Sequence, residues 1–474
     1  MLHKAYSLLF FCFILTFTSS AQNTDSLISP KIQLTFPLID APYIGYATRT
    51  VNNGQPTAGA ILRGYANPSM QQSLALTADL YTAVHYGIQR GVAKYRRIDN
   101  EKRWHKKFFN SSIHYLADFV LTYSPLGGGW LHEEYHRGVM TLGKVNSFNG
   151  MNKFPIGAST VAVSHVADED LVRFKASDSK SFIRMQVAGI EGEYLLVDRL
   201  QRNNFFYRQS LMFESQYVLT TLNSALYVLV CSQPKIANVE TDKMNQKEAE
   251  VKVRDFTGLD FNGWAYDLFR PNEPYEARGV HPSGNGIDRY RTTRHLTPDQ
   301  LTYLNKQGKL QFLNFLSPMM FGVRSLRIGQ TGWNGNFAVR HLLTSFGNDI
   351  SLQVYLMNTQ HRAALTYHRY KNFEKGYSAI EGSMIDVPLS LSSKKNLLFT
   401  PRVIVGMQPR NQDFMTKRAD FLGLVGTRVD LVSKSSKWSP YIDVDAKTSG
   451  WVAGNEFLGP RLAGRFGLAV RINN

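Results

Sequence analysis

The chain has 474 residues, of which 43 % are hydrophobic and 12 % aromatic, enough to build substantial cores and too apolar for an intrinsically disordered protein. Only 19 % are charged, yet the formal net charge is +17, so the surface attracts polyanions. Lysine runs, zinc-finger spacings and the aromatic signature of RNA-binding domains are absent, which excludes nucleic-acid readout and points the charge toward anionic lipid or lipopolysaccharide.

Lys4, the apolar run Leu8 to Thr18 and the small residues Ser19, Ser20 and Ala21 read together as a secretory signal over residues 1–21, cut before Gln22. The run is about half the ~20 residues that a permanent membrane helix needs. Export removes Cys12 and leaves Cys231 alone, so no intramolecular disulfide is expected and stability rests on packing or a metal.

From about Ser69 to Leu229 apolar residues recur at helical spacing, as in Leu74, Ala78, Tyr81, Val84 and Ile88. Within this stretch lies His132-Glu133-Glu134-Tyr135-His136. Histidines at i and i+4 stand one turn apart on the same helical face, the spacing at which two imidazoles reach one tetrahedral Zn²⁺. Glu133 projects about 100° away, where a carboxylate can accept a proton without being a ligand. Leu131, Tyr135, Val139 and Leu142 supply an apolar face for the helix, and the Gly127-Gly128-Gly129 turn after Pro125 marks its start.

The H-E-x-x-H motif and its helix resemble those of the zincin metallopeptidases, and the resemblance is confined to them. It implies a zinc cofactor held by His132 and His136, Glu133 as the catalytic base, and hydrolysis of a peptide or protein substrate by metal-activated water. Glu134 and Arg137 depart from the zincin pattern, standing where uncharged and apolar residues are customary. Val139 and Leu142 exclude the metzincin continuation, which leaves the gluzincin-like arrangement, with a Glu arriving from a downstream helix. Phe182 to Gln201 is the natural candidate, and its small residues, Gly189 among them, allow close approach. Glu191, which shares a face with Asp198 and Arg184, is favoured as third ligand; Glu193, among Phe182, Gly189, Val197 and Leu200, is the alternative. Asp198 is the expected acid that orients a ligating histidine.

Leu211 to Cys231 carries Glu214, Gln216, Asn223 and Ser224, and reads as a buried helix of a globular domain rather than a membrane span. Residues 234–255 are polar and charge-mixed, expected as a mobile loop, and Gly258 to Gly286 is punctuated by Gly, Pro and Asn. The segment Asp255 to His295 is dense in polar and aromatic residues, Asp260, Trp264, Asp267 and His281 included, none of which receives a role; nor does His165. A short helix follows, with Asp299 near its start and Leu301, Leu304, Leu310 and Leu313 along it.

From about Arg327 the period changes to 2, with eight strands expected to begin near Phe337, Ile350, Ala363, Tyr377, Leu397, Phe421, Tyr441 and Leu462. In the last, Leu462, Phe466, Leu468, Val470 and Ile472 alternate with Arg461, Arg465 and Arg471. An outer-membrane barrel and a soluble β-domain share this alternation, turned inside out. The signal sequence and the aromatics Trp438, Tyr441, Trp451 and Phe457, placed as girdles, favour the membrane barrel. Against it, Glu381 and Asp386 fall on opposite faces of one strand.

The expectation is an α+β, two-domain protein. Residues 1–21 are a signal peptide, 22–325 a mainly helical zincin-like domain, and 326–474 an antiparallel, about eight-stranded β-barrel. It is exported and tethered to the outer membrane, its helical domain periplasmic or at the cell surface, facing lipopolysaccharide. The alternative is a non-catalytic outer-membrane structural or binding protein with a fortuitous or decayed motif.

Overall fold

A computed structural model describes residues 32–47, 67–96, 103–123, 126–150 and 163–472; the expected signal lies outside them. A strand, β1 (Ile32–Ala41), is followed by helices α1 (Tyr43–Ala47), α2 (Met70–Arg96), α3 (Arg103–Tyr123) and α4 (Gly128–Leu142), then a small hairpin of β2 (Phe148–Asn149) and β3 (Val163–Ser164). Helices α5 (Asp168–Ser177), α6 (Ser179–Phe206), α7 (Glu214–Cys231), α8 (Pro234–Lys247), α9 (Asp260–Phe269) and α10 (Pro298–Leu310) complete the helical region. Ten strands follow: β4 (Leu326–Ile328), β5 (Trp333–Thr344), β6 (Gly347–Met357), β7 (Arg362–Lys371), β8 (Gly376–Met384), β9 (Val387–Ser392), β10 (Lys395–Pro409), β11 (Ala419–Ser433), β12 (Trp438–Lys447) and β13 (Arg461–Ile472).

The strands form one eleven-stranded antiparallel sheet in the order β1, β13, β12, β11, β10, β8, β7, β6, β5, β4, with β9 pairing on β10. All eight expected strands are present. The sheet also recruits β1 from the opposite end of the chain, with Phe36 opposite Leu468 and Leu34 opposite Val470. This strand lies inside the stretch assigned to the helical domain, so the sheet is not confined to residues 326–474. The conflict at Glu381 and Asp386 resolves as a break: β8 ends at Met384, Asp386 takes a left-handed φ of 53°, and β9 restarts the alternation. A tight turn thus resets the faces.

Which face points outward is settled by burial. On β12 and β13, Ile442, Val444, Leu462 and Phe466 are exposed, and the paired Ile442 and Phe466 lie directly across the ladder. Asp445, Arg465 and Arg471 on the opposite face are buried. The same holds at Leu352, Leu365 and Ile380, exposed, against Tyr355 and His368, buried. The inner charges are paired: Arg465 with Asp445 at 2.6 Å, Arg402 with Asp443 at 2.9 Å, Arg428 with Asp430 at 2.7 Å and His368 with Asp349 at 2.8 Å. Helix α6 packs against this inner face, where the Tyr355 hydroxyl donates to Asp198 at 2.7 Å. Of the four aromatics expected in girdles, Trp438 points outward, whereas Tyr441, Trp451 and Phe457 are buried in the interior.

Two segments expected to be loops are helical. Residues 234–255 begin with α8, which Pro234 opens at a position where its missing N–H costs nothing, and which buries Ala237 and Thr241. Within the Gly-punctuated stretch, α9 buries Phe261, Trp264, Ala265 and Leu268, an apolar stripe at helical spacing in only ten residues.

Candidate metal centre

Helix α4 starts at Gly128, as the glycine turn requires, and carries both motif histidines, buried, on one face. It is crossed by α6, capped at its start by the Asp178 side chain accepting from the Ser181 amide at 3.0 Å. The two helices approach closely because α6 presents Gly189 and Gly192 to α4. A Cβ on Gly189 would lie 2.3 Å from His132 Nε2, and one on Gly192 would lie 2.8 Å from the Tyr135 ring.

His132, His136 and Asp260 bring one ligand atom each to within 4.8 Å of one another. His132 Nε2 is 3.2 Å and His136 Nε2 3.5 Å from Asp260 Oδ2. Two ligand atoms about 2.1 Å from one ion at the tetrahedral angle are about 3.4 Å apart, so both separations suit a shared cation. The outer nitrogens are both engaged by acceptors. His132 Nδ1 donates to Glu193 Oε1 at 3.2 Å, and His136 Nδ1 donates to the Met185 carbonyl at 2.5 Å. Acceptors on Nδ1 fix the tautomer that leaves Nε2 as the lone-pair atom, the arrangement found around metal-bound histidines. His136 Nε2 is buried without a hydrogen-bond partner. A proton satisfies one imidazole of this set; a divalent ion satisfies both and the carboxylate.

Asp260 occupies the first turn of α9, where the unpaired amides of the helix start favour a negative charge. Burial opposes its ionisation, but the histidines outweigh it and hold its pKa below the usual carboxylate range. The loop before it is shaped by Asp255, whose Oδ1 accepts from the Thr257 and Gly258 amides at 3.0 and 2.8 Å. Gly258 has a φ of 76° and lies against the Tyr290 ring, a position that only glycine occupies without strain. Behind Asp260, Asp267 fixes α9 through Lys175 at 2.7 Å, Arg278 at 2.5 Å and the Gln186 amide at 2.5 Å.

The two carboxylates proposed as third ligand have other partners. Glu191 points toward the loop after β12, accepting from Arg184 at 2.8 Å and from the Gly454 amide at 2.7 Å. Two residues on, and so on the opposite side of α6, Glu193 reaches His132 from outside the cluster and accepts from the Ser224 hydroxyl. It therefore holds the His132 ring, as Asp198 was expected to do, while Asp198 lies under the sheet with Tyr355 and 3.8 Å from Arg340. The carboxylate that meets the histidines is Asp260, brought in by α9, a helix where the Gly- and Asn-punctuated sequence predicts a loop.

Glu133 is buried, and burial pushes its pKa up to about 8, with His132 pulling against the negative Asp260, Glu134 and Glu193. Asp255 is likewise raised to about 8 by burial and by the Glu133 charge. Burial works against the His132 imidazolium, but Asp260 and Glu193 hold its pKa well above the ordinary value. The two departures from the zincin pattern neutralise each other: Arg137 Nη1 donates to both Glu134 oxygens at 2.6 and 2.8 Å. Arg137 Nη2 also donates to Asn67 at 2.5 Å, and the Asn149 amide donates to Glu134 at 2.8 Å. Comparison with protein-family models, with curated proteins and with solved structures gives no match, so the reading of the site rests on its own geometry.

Proposed function

We propose that this chain is a zinc-dependent hydrolase of peptide bonds, held in the outer membrane by its sheet, with His132, His136 and Asp260 as metal ligands and Glu133 as base. The observation that carries the reading is the pair of Nε2 atoms aimed at one Asp260 oxygen while both Nδ1 atoms are held by acceptors. Two imidazoles and one carboxylate leave a position for water and substrate, the donor set of a catalytic rather than a structural zinc site. Bound zinc would supply Lewis acidity, polarising a carbonyl and acidifying water.

The chain's own groups do the rest. Glu133, buried beside the ligands, takes the proton of the attacking water on a carboxylate oxygen and returns it to the leaving nitrogen. Its raised affinity for a proton in a dry site suits both halves of that transfer. Glu193 keeps the His132 ring in its tautomer, and Asp267 keeps α9 and hence Asp260 in place. The peptide substrate follows from the zincin resemblance.

The membrane reading is supported by the orientation of the sheet, apolar outward and charged inward, as lipid-facing strands require. Hydrolysis is tested with Glu133→Gln: the account expects metal content unchanged and peptide cleavage lost by about 100-fold or more. Retained cleavage in that variant rejects Glu133 as the base.

A further inference from the structure

Among the described residues the sheet is open, its strand order running from β1 to β4 without closing into the expected barrel. Its terminal strands β1 and β4 pair with no second strand among those residues, and helices and turns supply partners to several backbone groups near both edges. On β1, the Thr35 amide donates to Asp79 and the Pro37 carbonyl accepts from Gln72 at 3.2 Å, both from α2. On β5, beyond the three residues covered by β4, the Val339 amide donates to the Leu316 carbonyl at 2.9 Å. Asn314 there accepts from the His341 amide and donates to its carbonyl, both at 3.0 Å. The gap between the edges is filled by helices in contact: α2 packs on α3, α3 on α7, and α7 on the turns at 311–321 that cap β5.

The outward faces of α3 and α7 carry large apolar side chains, as those of the strands do. On α3, Asn110, His114 and Asp118 are buried, while Leu116, Phe119, Val120 and Tyr123 face outward, Leu116 61 % exposed. From Phe109 to Leu126 Asp118 is the sole formally charged residue, and it is turned inward, bonded to His85 at 2.6 Å and to Ser215. On α7, Leu222 and Leu226 are exposed beside Asn223, while the buried face is mixed, with Gln216, Thr220, Thr221 and Ser224 among Tyr217, Ala225, Val228 and Cys231. Helix α5 shows the ordinary pattern, with Leu171 and Phe174 buried and Arg173 exposed.

We propose that α3 and α7 complete the bilayer-facing wall that the strands leave open, so that acyl chains cover Leu116, Phe119, Leu222 and Leu226. The inference rests on the membrane reading above and extends it from the sheet to the helical region. Lipid is the occupant because large apolar side chains are exposed on each packed neighbour in turn: on the strands, at Phe321, Leu326 and Ile328, and on α7 and α3, with Arg327 and Asn223 among the polar exceptions. A protein partner covers one side of such a band, whereas acyl chains cover all of it. The edge groups paired by α2 and by the turns at 311–321 follow the rule that backbone in hydrocarbon finds its partners within the protein. The metal centre then lies just inside this wall, since α7 supplies Ser224 to Glu193 and the Tyr227 ring is 6.2 Å from that of His132.

The test is thiol labelling of the full chain in native membranes with a charged, water-soluble maleimide. Fully buried Cys231 stays in place as an internal reference. Single cysteines are placed at Leu116 and Leu222 on the helices, at Leu365 and Ile380 on the sheet, and at exposed Glu240 on α8. Labelling at the four apolar sites should be at least about tenfold slower than at Glu240→Cys, because the reacting thiolate does not form in hydrocarbon. Nitroxides at the same sites in reconstituted bilayers should collide with oxygen in preference to a nickel chelate, and variants that fail to label after denaturation are discounted. If the sheet sites are shielded while Leu116→Cys and Leu222→Cys label like Glu240→Cys, the helices face water and this inference falls while the membrane reading stands. If the sheet sites also label freely, the membrane reading falls with it.

Discussion

Replacing Gly189 by alanine isolates the metal site from the fold. The added methyl would sit 2.3, 2.4 and 2.5 Å from three atoms of the His132 ring. Ordinary contact begins near ~3.4 Å, so the ring must retreat by roughly 1 Å, whereas metal sites tolerate about 0.2 Å. It cannot pivot freely, because Glu193 holds Nδ1 and Asp260 faces Nε2. Alanine in mid-helix gains about 1 kcal/mol over glycine and overpacking costs about 1–3, so the net destabilisation is about 0–2 kcal/mol. Metal affinity should fall by more than the ~10–100-fold that accompanies loss of an outer hydrogen bond to a ligand. The control is Gly87→Ala on α2, where a Cβ meets nothing within 4 Å; it should stabilise by up to about 1 kcal/mol and leave metal binding alone. The assay is competitive zinc titration beside thermal unfolding. Unchanged zinc affinity in Gly189→Ala would refute the placement of His132 in the site.

Glu193→Gln should weaken metal binding by about 10–100-fold, while Asp198→Asn leaves it unchanged and lowers only stability, a contrast read in the same titration. Zinc affinity should fall as the pH is lowered: the raised pKa of His132 means that a proton must leave before the nitrogen can ligate, and calorimetry in buffers of different ionisation heat counts the protons released. Asp267→Asn leaves Lys175 and Arg278 buried without their carboxylate and should cost about 3–5 kcal/mol in chemical denaturation. Burial opposes ionisation of Asp267, but Arg278 and Lys175 depress its pKa below 3.8, so its contribution is present above that pH and is lost as the pH falls through the depressed value. Glu134→Gln removes the buried carboxylate that balances the Arg137 charge, while Asn67 and Ser147 still accept from the guanidinium; it should destabilise by up to ~3–5 kcal/mol, and pairing it with Arg137→Met should recover part of that loss.

The motif helix was legible because its information is local: a glycine turn, an apolar face and two histidines one turn apart all lie within α4. The strands were legible for the same reason, since alternation is written along each one. Their outward face was not, because periodicity is identical in a sheet and in its inside-out counterpart; only burial of Arg465 and Asp445 distinguishes them. β1 was missed because its partner is Arg461–Ile472 at the far end of the chain. Asp260 was missed because it opens a ten-residue helix amid turn-forming residues, where Gly258 and Asn262 mask an apolar stripe. Helical-wheel arithmetic separated the faces of Glu191 and Glu193 but could not say which one α4 packs against. That depends on the partners of each: the Arg184 guanidinium and Gly454 amide draw Glu191 away, and the His132 ring claims Glu193.

The central claim is that His132, His136 and Asp260 bind one metal ion. Elemental mass spectrometry of the detergent-purified chain measures it, beside His132→Ala/His136→Ala, Asp260→Ala and Glu191→Ala variants. The account predicts one zinc per chain in the parent and in Glu191→Ala, and none in the double histidine or Asp260 variants. A parent without metal, or zinc kept in Asp260→Ala and lost in Glu191→Ala, would contradict it.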